Sequence, residues 1–385
     1  MKIYEATLTF ETMAIPYGER RREGYVLRRR DIILGSTIRG ALITALMSKL
    51  GHEIIESELK EPGILSTPFF PLIDGKVKTY PAEAFTFEHK IPKKINGKEI
   101  REIVKMLDIN ALKKAARDNN IEIIAEKCIP DDPLFTPAVG KPIAKINNQY
   151  IAAEVKATRT IAVGISKRSG RSEEGMLFTY EAIAEGQSFW GRIIDLKDVI
   201  SEALPKSNVI EVRIGRGASR GFGIAKLALK ELSKGEITKR KEEIRKKISD
   251  GYVVLKAVAP LAVIGKNMFL ETFPEQFTFD NQWTDYILSF DDVREFLDEK
   301  LRECKIELCS ASGKKLTFGY LMEIGGWSLK SNLPKPVIRS SGPGSVAVYR
   351  ITAGLDAAPD ALLLAEVFGI DELSIAGFNY IEVIG

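Results

Sequence analysis

The opening decapeptide KIYEATLTFE, Lys2 to Glu11, alternates apolar and polar side chains with a period of two, the pattern of a half-buried strand. An arginine-rich loop follows, GERRREGYVLRRRD, and then ILGSTIRGALITALMSKL, where Ile38, Leu42, Ala45, Leu46 and Leu50 recur at helical spacing and Ser36 or Thr37 stands ready to cap the helix. From about Gly51 to Tyr150 the pattern breaks. Pro62, Pro68, Pro71, Pro81, Pro92, Pro130, Pro133, Pro137 and Pro142 punctuate the region, only IREIVKMLDINALKKAARDN looks clearly helical, and the whole reads as an insertion. From Glu154 strands return: EVKATRTIAVGI and MLFTYEAIAEGQSFWGRIID flank the loop SKRSGRSEEG, and LKDVISEAL makes a short amphipathic helix. SNVIEVRIG then leads into a glycine-rich loop and FGIAKLALKEL leads out of it. Strand, helix, strand, strand, helix, strand with one insertion is the ferredoxin-like plan.

KGEITKRKEEIRKKISD, Lys234 to Asp250, has almost no apolar content and reads as a solvated linker or a surface helix laced with opposite charges. The domain boundary falls there: 1–235 as a first ferredoxin-like domain, 236–250 as a charged linker and 251–385 as a second ferredoxin-like domain. The second half opens with the strand GYVVLKAVAPLAVIG and continues through the amphipathic SFDDVREFLDEKLREC and the strands KLTFGYLMEI and SVAVYRI. It closes with APDALLLAEVFG as a helix and FNYIEVIG as a strand. The expected class is α+β.

A chain of 385 residues favours two domains over one, and its hydrophobic fraction of 45% is enough for each to bury a core. The net charge of +4 is only mildly basic, so a role with nucleic acid must come from local clustering rather than from the average. Three cysteines, Cys128, Cys304 and Cys309, form no CxxC pair, which argues against a disulfide framework and a four-cysteine zinc site. The opening strand lacks the order of a signal peptide and no run is long enough to span a bilayer, so a cytoplasmic protein without a membrane partner is expected.

The residues exclude most catalytic chemistries. His52 and His89 are the only histidines and neither has a second ligand at helical or hairpin spacing, so no metal or other cofactor is expected. No GxSxG turn occurs, and Cys128 lies beside prolines in KCIPDDPLF rather than at a helix start. The loop GRGASRGFG lacks the lysine of a Walker motif, and Arg220 stands where a dinucleotide fingerprint needs its third glycine.

What remains is a set of basic loops. Arg20 to Arg22 and Arg28 to Arg30 follow the first strand; Lys156, Arg159, Lys167, Arg168 and Arg171 mark one hairpin; Arg213, Arg216 and Arg220 mark the loop Ile214 to Leu227, IGRGASRGFGIAKL, with Gly215, Gly217, Gly221 and Gly223. Glycines let a backbone bend through positive φ and approach a partner closely, and arginines offer planar forks of donors suited to phosphate. The start of the helix after Gly35 adds free N–H groups and a partial positive charge, with Arg39 nearby. Phe189, Trp190, Phe222 and Trp327 have the chemistry to stack bases, with core packing as the default for each.

ILGSTIRGAL resembles the helix start of the CRISPR-associated RAMP superfamily, and IGRGASRGFGIAKL is similar to its glycine-rich loop. ATRTIAVGISKRSGRSEEGMLFTYEAIAEGQSFWGRI resembles the segment in which those proteins place an extended basic hairpin. GGWSLKSNLPKPVIRSSGPGSVAVYRI, followed by AGFNYIEV, is similar to the subunit that caps the crRNA 5′ handle in type III effector complexes, subtype D above all. The resemblance implies two ferredoxin-like, RRM-like RAMP domains with glycine-rich loops and a long insertion in the first. It implies a non-catalytic subunit that binds the 5′ tag of crRNA and nucleates a filament with a large signature subunit and backbone RAMP subunits. RNA contacts are then expected from Arg28, Arg29 and Arg30, from Gly35, Ser36 and Arg39, and from Lys167, Arg168 and Arg171. Further contacts are expected from Gly215, Arg216, Gly217, Ser219, Arg220 and Gly221, and from Lys330, Lys335, Arg339 and Ser340. The backbone of the loop from Arg339 to Gly344 offers itself for reading base edges.

The chain departs from the family pattern in places. Leu34 stands where the family often has proline, leaving the helix entry less fixed, and Asn379 replaces a glycine after Gly377 and Phe378. Two rival functions stay open: a RAMP endoribonuclease, either a target-slicing subunit with Asp31 the one carboxylate near the helix start or a crRNA-processing enzyme, and an assembly protein whose basic loops meet acidic partners.

Overall fold

A computed structural model of the chain describes all residues except 17, 21–25, 30, 96–97, 166–171, 205–206, 265–269, 272 and 329–332. It is a mixed α+β fold of two compact units, both discontinuous in sequence: 2–79 with 153–232, here the N-terminal unit, and 80–152 with 233–385, here the C-terminal unit. Among the described residues no helix is long and apolar enough to cross a membrane.

In the N-terminal unit the strand Lys2–Phe10 lies between Ile224–Glu231 and Ser188–Asp195, antiparallel to both. Val209–Arg213 extends the sheet on one side, and Ile64–Ser66, Phe70–Ile73 and Val77–Lys78 extend it on the other. The period of two does what it predicts: Ala6, Leu8 and Phe10 are buried, while Thr7 and Thr9 between them are half-buried. The buried set joins one core with Ile38, Leu42 and Leu46 of the helix Gly35–Leu50.

That helix starts at Gly35 and is flanked by Leu34, so neither Ser36 nor Thr37 is its cap. Leu34 has φ −65°, the value a proline ring would impose, and the paired Ile33 and Phe69 backbones hold it there at 3.0 and 2.8 Å. The entry is fixed by packing in place of the ring.

In the C-terminal unit the strands run Gln276–Thr278, Lys305–Leu308, Val346–Ala353, Tyr252–Ala257, Ile381–Val383, all antiparallel neighbours. The helix Ala358–Val367 is buried along its whole length, as a helix that is apolar nearly all round must be. The charged stretch expected as the 236–250 linker is mostly helix, Lys234–Lys247. Its Arg240 forks onto Glu366 at 2.9 and 2.7 Å and its Lys241 meets Asp360 at 2.6 Å, so it neutralises the two buried carboxylates of Ala358–Val367.

The region read as an insertion divides after Thr79. Residues 80–152 form a six-stranded sheet of their own and two helices, Ile109–Asp118 and Glu122–Cys128. The first begins later than its sequence pattern suggests, because the Asp108 carboxylate accepts from the Ala111 N–H at 3.0 Å and Ile103–Lys105 before it is strand. Leu112, Ala115 and Cys128 are buried with Val254, Leu316, Val346 and Val348, so the two helices complete the core of the C-terminal unit. Burial pushes the Cys128 thiol up from its ordinary value, leaving it a packing residue.

Candidate nucleic-acid interface

The glycine-rich loop turns on backbone geometry that its sequence requires. Gly215, Gly217, Gly221 and Gly223 all have positive φ, between 76° and 87°. At Gly215 a Cβ would lie 2.1 Å from the Ile15 carbonyl oxygen, a contact no side chain can make. That closeness ties the loop to the segment Met13 to Ile15: the Gly223 N–H donates to the Met13 carbonyl at 2.9 Å and the Arg216 N–H to the Ile15 carbonyl at 3.0 Å. Ala14 between them exchanges hydrogen bonds with Ile183 at 3.0 and 2.7 Å, at the base of the hairpin Ala157–Ile165 and Ser172–Ile183. The same hairpin pairs in parallel with Val26–Arg29, the strand that carries Arg28 and Arg29, and that strand pairs with Gly18–Arg20. Met13 to Ile15 thus ties the glycine loop to a four-stranded sheet that includes part of the arginine-rich segment, far apart as the three are in sequence.

Arg213, Arg216 and Arg220 are exposed, as is Ser219, and none of the three arginines makes an ion pair among the described residues. Arg159 on the hairpin meets Glu181 at 3.4 Å, and Lys226 beside the loop is paired with Glu11. The loop amides are less available than a phosphate cradle would need. Those of Ile214, Arg216, Arg220, Gly221, Phe222 and Gly223 already donate to carbonyls, while Gly217, Ala218 and Ser219 donate to no backbone acceptor among the described residues. Phe222 packs its ring against Gly217, where a Cβ would fall 2.6 Å away, and so closes the loop on itself. Phe189 and Trp190 take the core role: both are buried, and the Trp190 ring N–H donates to the Thr79 carbonyl at 2.8 Å.

Two expected contact residues are already engaged. Arg39 donates from Nε to the Ile64 carbonyl at 2.7 Å and from Nη2 to Glu58 Oε2 at 2.6 Å. Glu58, 5% exposed, also accepts from the Gly63 and Ile64 amides at 2.9 and 3.3 Å. Arg39 therefore fastens the turn before Ile64–Ser66 and leaves Ser36, which is exposed, alone at the helix start with Gly35. Ser340 is fully buried and its hydroxyl donates to the Met322 carbonyl at 3.3 Å.

Arg339 is exposed on the hairpin Leu321–Ser328 and Leu333–Ser341, 3.4 Å from Glu323. Lys335 lies on the same hairpin. The loop after it is closed to base reading. Gly342 packs under the Tyr320 ring, and at Gly344 a Cβ would lie 2.1 Å from the Ala82 carbonyl oxygen, so residues 340–345 are buried within their own unit. At the C-terminal end Asn379 adopts φ 59° itself, a left-handed conformation that asparagine tolerates, and its side chain bridges Ala262 and Asp371. Burial raises the Asp371 carboxyl above its ordinary value, against the Asn379 and Leu373 hydrogen bonds that lower it. Arg30, Lys167, Arg168, Arg171 and Lys330 lie outside the described residues, as do the side chains of Arg28, Arg29, Lys335 and Trp327. Asp31 is exposed just ahead of the helix Gly35–Leu50.

Residues 21–226, more than half of the chain, match the model of the RAMP superfamily, and the chain belongs to this family. No curated protein matches it. Among solved structures it is similar to a chain of the Type III-B Cmr-beta complex bound to cognate target RNA and AMPPnP, at 13% identity over 89% of this chain and 86% of that one, with a TM-score of 0.39. It is similar to oligomeric Cmr4 from Pyrococcus furiosus, at 16% identity over 60% and 100% of the two chains, TM-score 0.29. It is also similar to Cas6 from Thermus thermophilus, at 9% identity over 100% and 99%, TM-score 0.36. Overlaps this loose leave the family match to carry the assignment.

Proposed function

We propose that the chain is a non-catalytic subunit of a type III CRISPR effector complex that binds crRNA, grips its 5′ tag and starts the subunit filament. The observation that carries this is the glycine loop: three exposed arginines that make no ion pair among the described residues, on a bend tied through Met13 to Ile15 to the hairpin Ala157–Ile165 and Ser172–Ile183. Guanidinium forks without a carboxylate partner are ready for phosphate and need no rearrangement to meet it. Membership of the RAMP superfamily supports the same reading. So does the strand order, which in both units suits a ferredoxin-like sheet: the fourth strand beside the first, the third beside that, and the second at the far side.

The reading is of binding without cutting. Neither His52 nor His89 is near the loop in sequence, and His52 is exposed ahead of the helix Glu53–Lys60. Asp31, exposed just ahead of the helix Gly35–Leu50, is the carboxylate to test as a general acid or base. In a reconstituted complex, Asp31→Ala should leave target-RNA cleavage unchanged; loss of cleavage would reassign the subunit as a slicer.

Binding itself is tested by a salt series with single-stranded RNA. The double variant R216A/R220A should flatten the slope of log K against log salt by about 1.4, about 0.7 for each lost phosphate contact. RNA that copurifies with the complex should share one 5′ end. An unchanged slope together with ragged 5′ ends would sink the proposal.

A further inference from the structure

Residues 80–152 carry a cleft of about 330 Å³ that the glycine loop does not involve. It opens at the hairpin between Pro142–Ile146 and Gln149–Ala152, whose turn sets Asn147 and Asn148 at φ 48° and 65°. Two successive left-handed residues make a tight turn of the type that twists with its strands, and asparagine is among the few side chains that accept it. The turn brings Asn148 and Gln149 to the cleft beside Tyr150. Tyr150 pairs across the sheet with Ile103, packs against the small core of Ala82, Ile103 and Ile143, is half-buried, and has the Lys145 ammonium over its ring, 5.9 Å from the centroid.

Lys93, Arg101 and Glu102 also line the cleft, with a net charge of +1, and the Lys93 ammonium pairs with the Glu102 carboxylate at 2.5 Å. Arg101 is held only loosely, 3.5 Å from Glu88, whose carboxylate also pairs with Lys141. Its side chain is 53% exposed, so an anion arriving at the cleft can draw it in at little cost.

We propose that this cleft binds one nucleotide of a single-stranded RNA, a proposal that rests on the RNA-binding reading above. Tyr150 supplies a stacking face once the exposed Lys145 swings aside, Asn148 and Gln149 each present a donor and an acceptor to a base edge, and Arg101 meets a flanking phosphate. The volume lies at the lower end of the roughly 300–1,000 Å³ typical of ligand pockets, which suits a single nucleotide rather than a stacked pair.

The test uses the full chain and a labelled single-stranded oligoribonucleotide of mixed sequence, with ultraviolet crosslinking to map contacts. A crosslink on the peptide containing Tyr150 is expected. Tyr150→Ala and Tyr150→Leu should both weaken binding by roughly 5- to 150-fold, the loss of one base stack, while Tyr150→Phe binds as the parent does. Tyr150→Leu keeps apolar bulk, and a thermal midpoint close to the parent's separates lost contact from lost fold. Equal binding by all three variants, with crosslinks confined to the loop Gly215 to Gly221, overturns the cleft and leaves the loop reading intact. No RNA binding by the parent chain overturns both. Saturable binding of free mononucleotides with no crosslink from the oligoribonucleotide overturns RNA as the occupant.

Discussion

Arg39 and Arg216 each follow a glycine-bearing bend in the sequence, yet a carboxylate brought in by folding separates their roles. Glu58, nineteen positions from Arg39 in sequence, carries nothing that marks it as a buried anchor; only the turn at Gly63 places it where Arg39, Gly63 and Ile64 all donate to it. Removing one partner of such a buried pair costs about 3–5 kcal/mol, so Arg39 serves stability. Asp195 is a second residue of this kind. It is fully buried, accepts from the Val199 and Ile200 amides at 3.1 and 2.7 Å, and burial pushes its carboxyl up to about 6 from an ordinary 3.8. The folded state therefore binds a proton that the unfolded chain has released between these values, so the stability from this group is fully present below about pH 4 and lost as pH rises through about 6. Two units of pKa correspond to about 3 kcal/mol as an upper figure. The difference in unfolding free energy between the parent and Asp195→Asn, measured by chemical denaturation at a series of pH values, should shift by about that much between pH 4 and 7. A difference that stays flat across this window would show that Asp195 does not titrate there.

At the scale of elements, what was legible follows from periodicity. The strands around Lys2–Phe10 and Val346–Ala353 and the helix Ala358–Val367 declare themselves because one side chain in two, or nearly every one, is apolar. The helix Lys234–Lys247 shows no such period, so its sequence left a linker and a charged surface helix both open; it docks by charge, with Ile244 its one buried residue and Arg240 and Lys247 both donating to the Val383 carbonyl at 2.9 Å, covering the edge of the sheet. The glycine loop was legible as a loop but not in the distribution of its constraints. Gly215 is wedged against the Ile15 backbone, whereas a Cβ at Gly221 would meet open space although φ is 80°. Gly221→Ala should therefore cost only the left-handed strain of about 1–2 kcal/mol. Gly215→Ala adds a clash that the Ile15 carbonyl cannot relieve without breaking its bond to the Arg216 N–H, so its loss should be clearly larger. Denaturation midpoints of the two variants decide this, and equal losses would mean that the loop does not lean on Ile15.

At the scale of the molecule, the chain enters each unit more than once, and this is what the sequence hid most completely. The apolar face of Ile109–Asp118 announced that Leu112 and Ala115 must be buried, but not by what; proximity along the chain pointed to the first half, and the actual partners, Val254, Val346 and Val348, lie well over a hundred residues downstream. Such pairings form only when distant segments meet, which makes the C-terminal unit dependent on both of its pieces. Each large apolar side chain uncovered by losing its partner forfeits about 1.5–3 kcal/mol of burial, and Leu112, Ile124 and the Cys128 side chain are uncovered together. A chain cut at residue 235 should therefore fail to give two independent folds. In limited proteolysis followed by mass spectrometry, the full chain should resist cleavage across 103–128, and a fragment of residues 1–235 should be cut there rapidly while the sheet around Lys2–Phe10 stays protected. A fragment protected across 103–128 would show that the two helices carry a sufficient core without the C-terminal sheet, and the division after Thr79 would lose its energetic meaning.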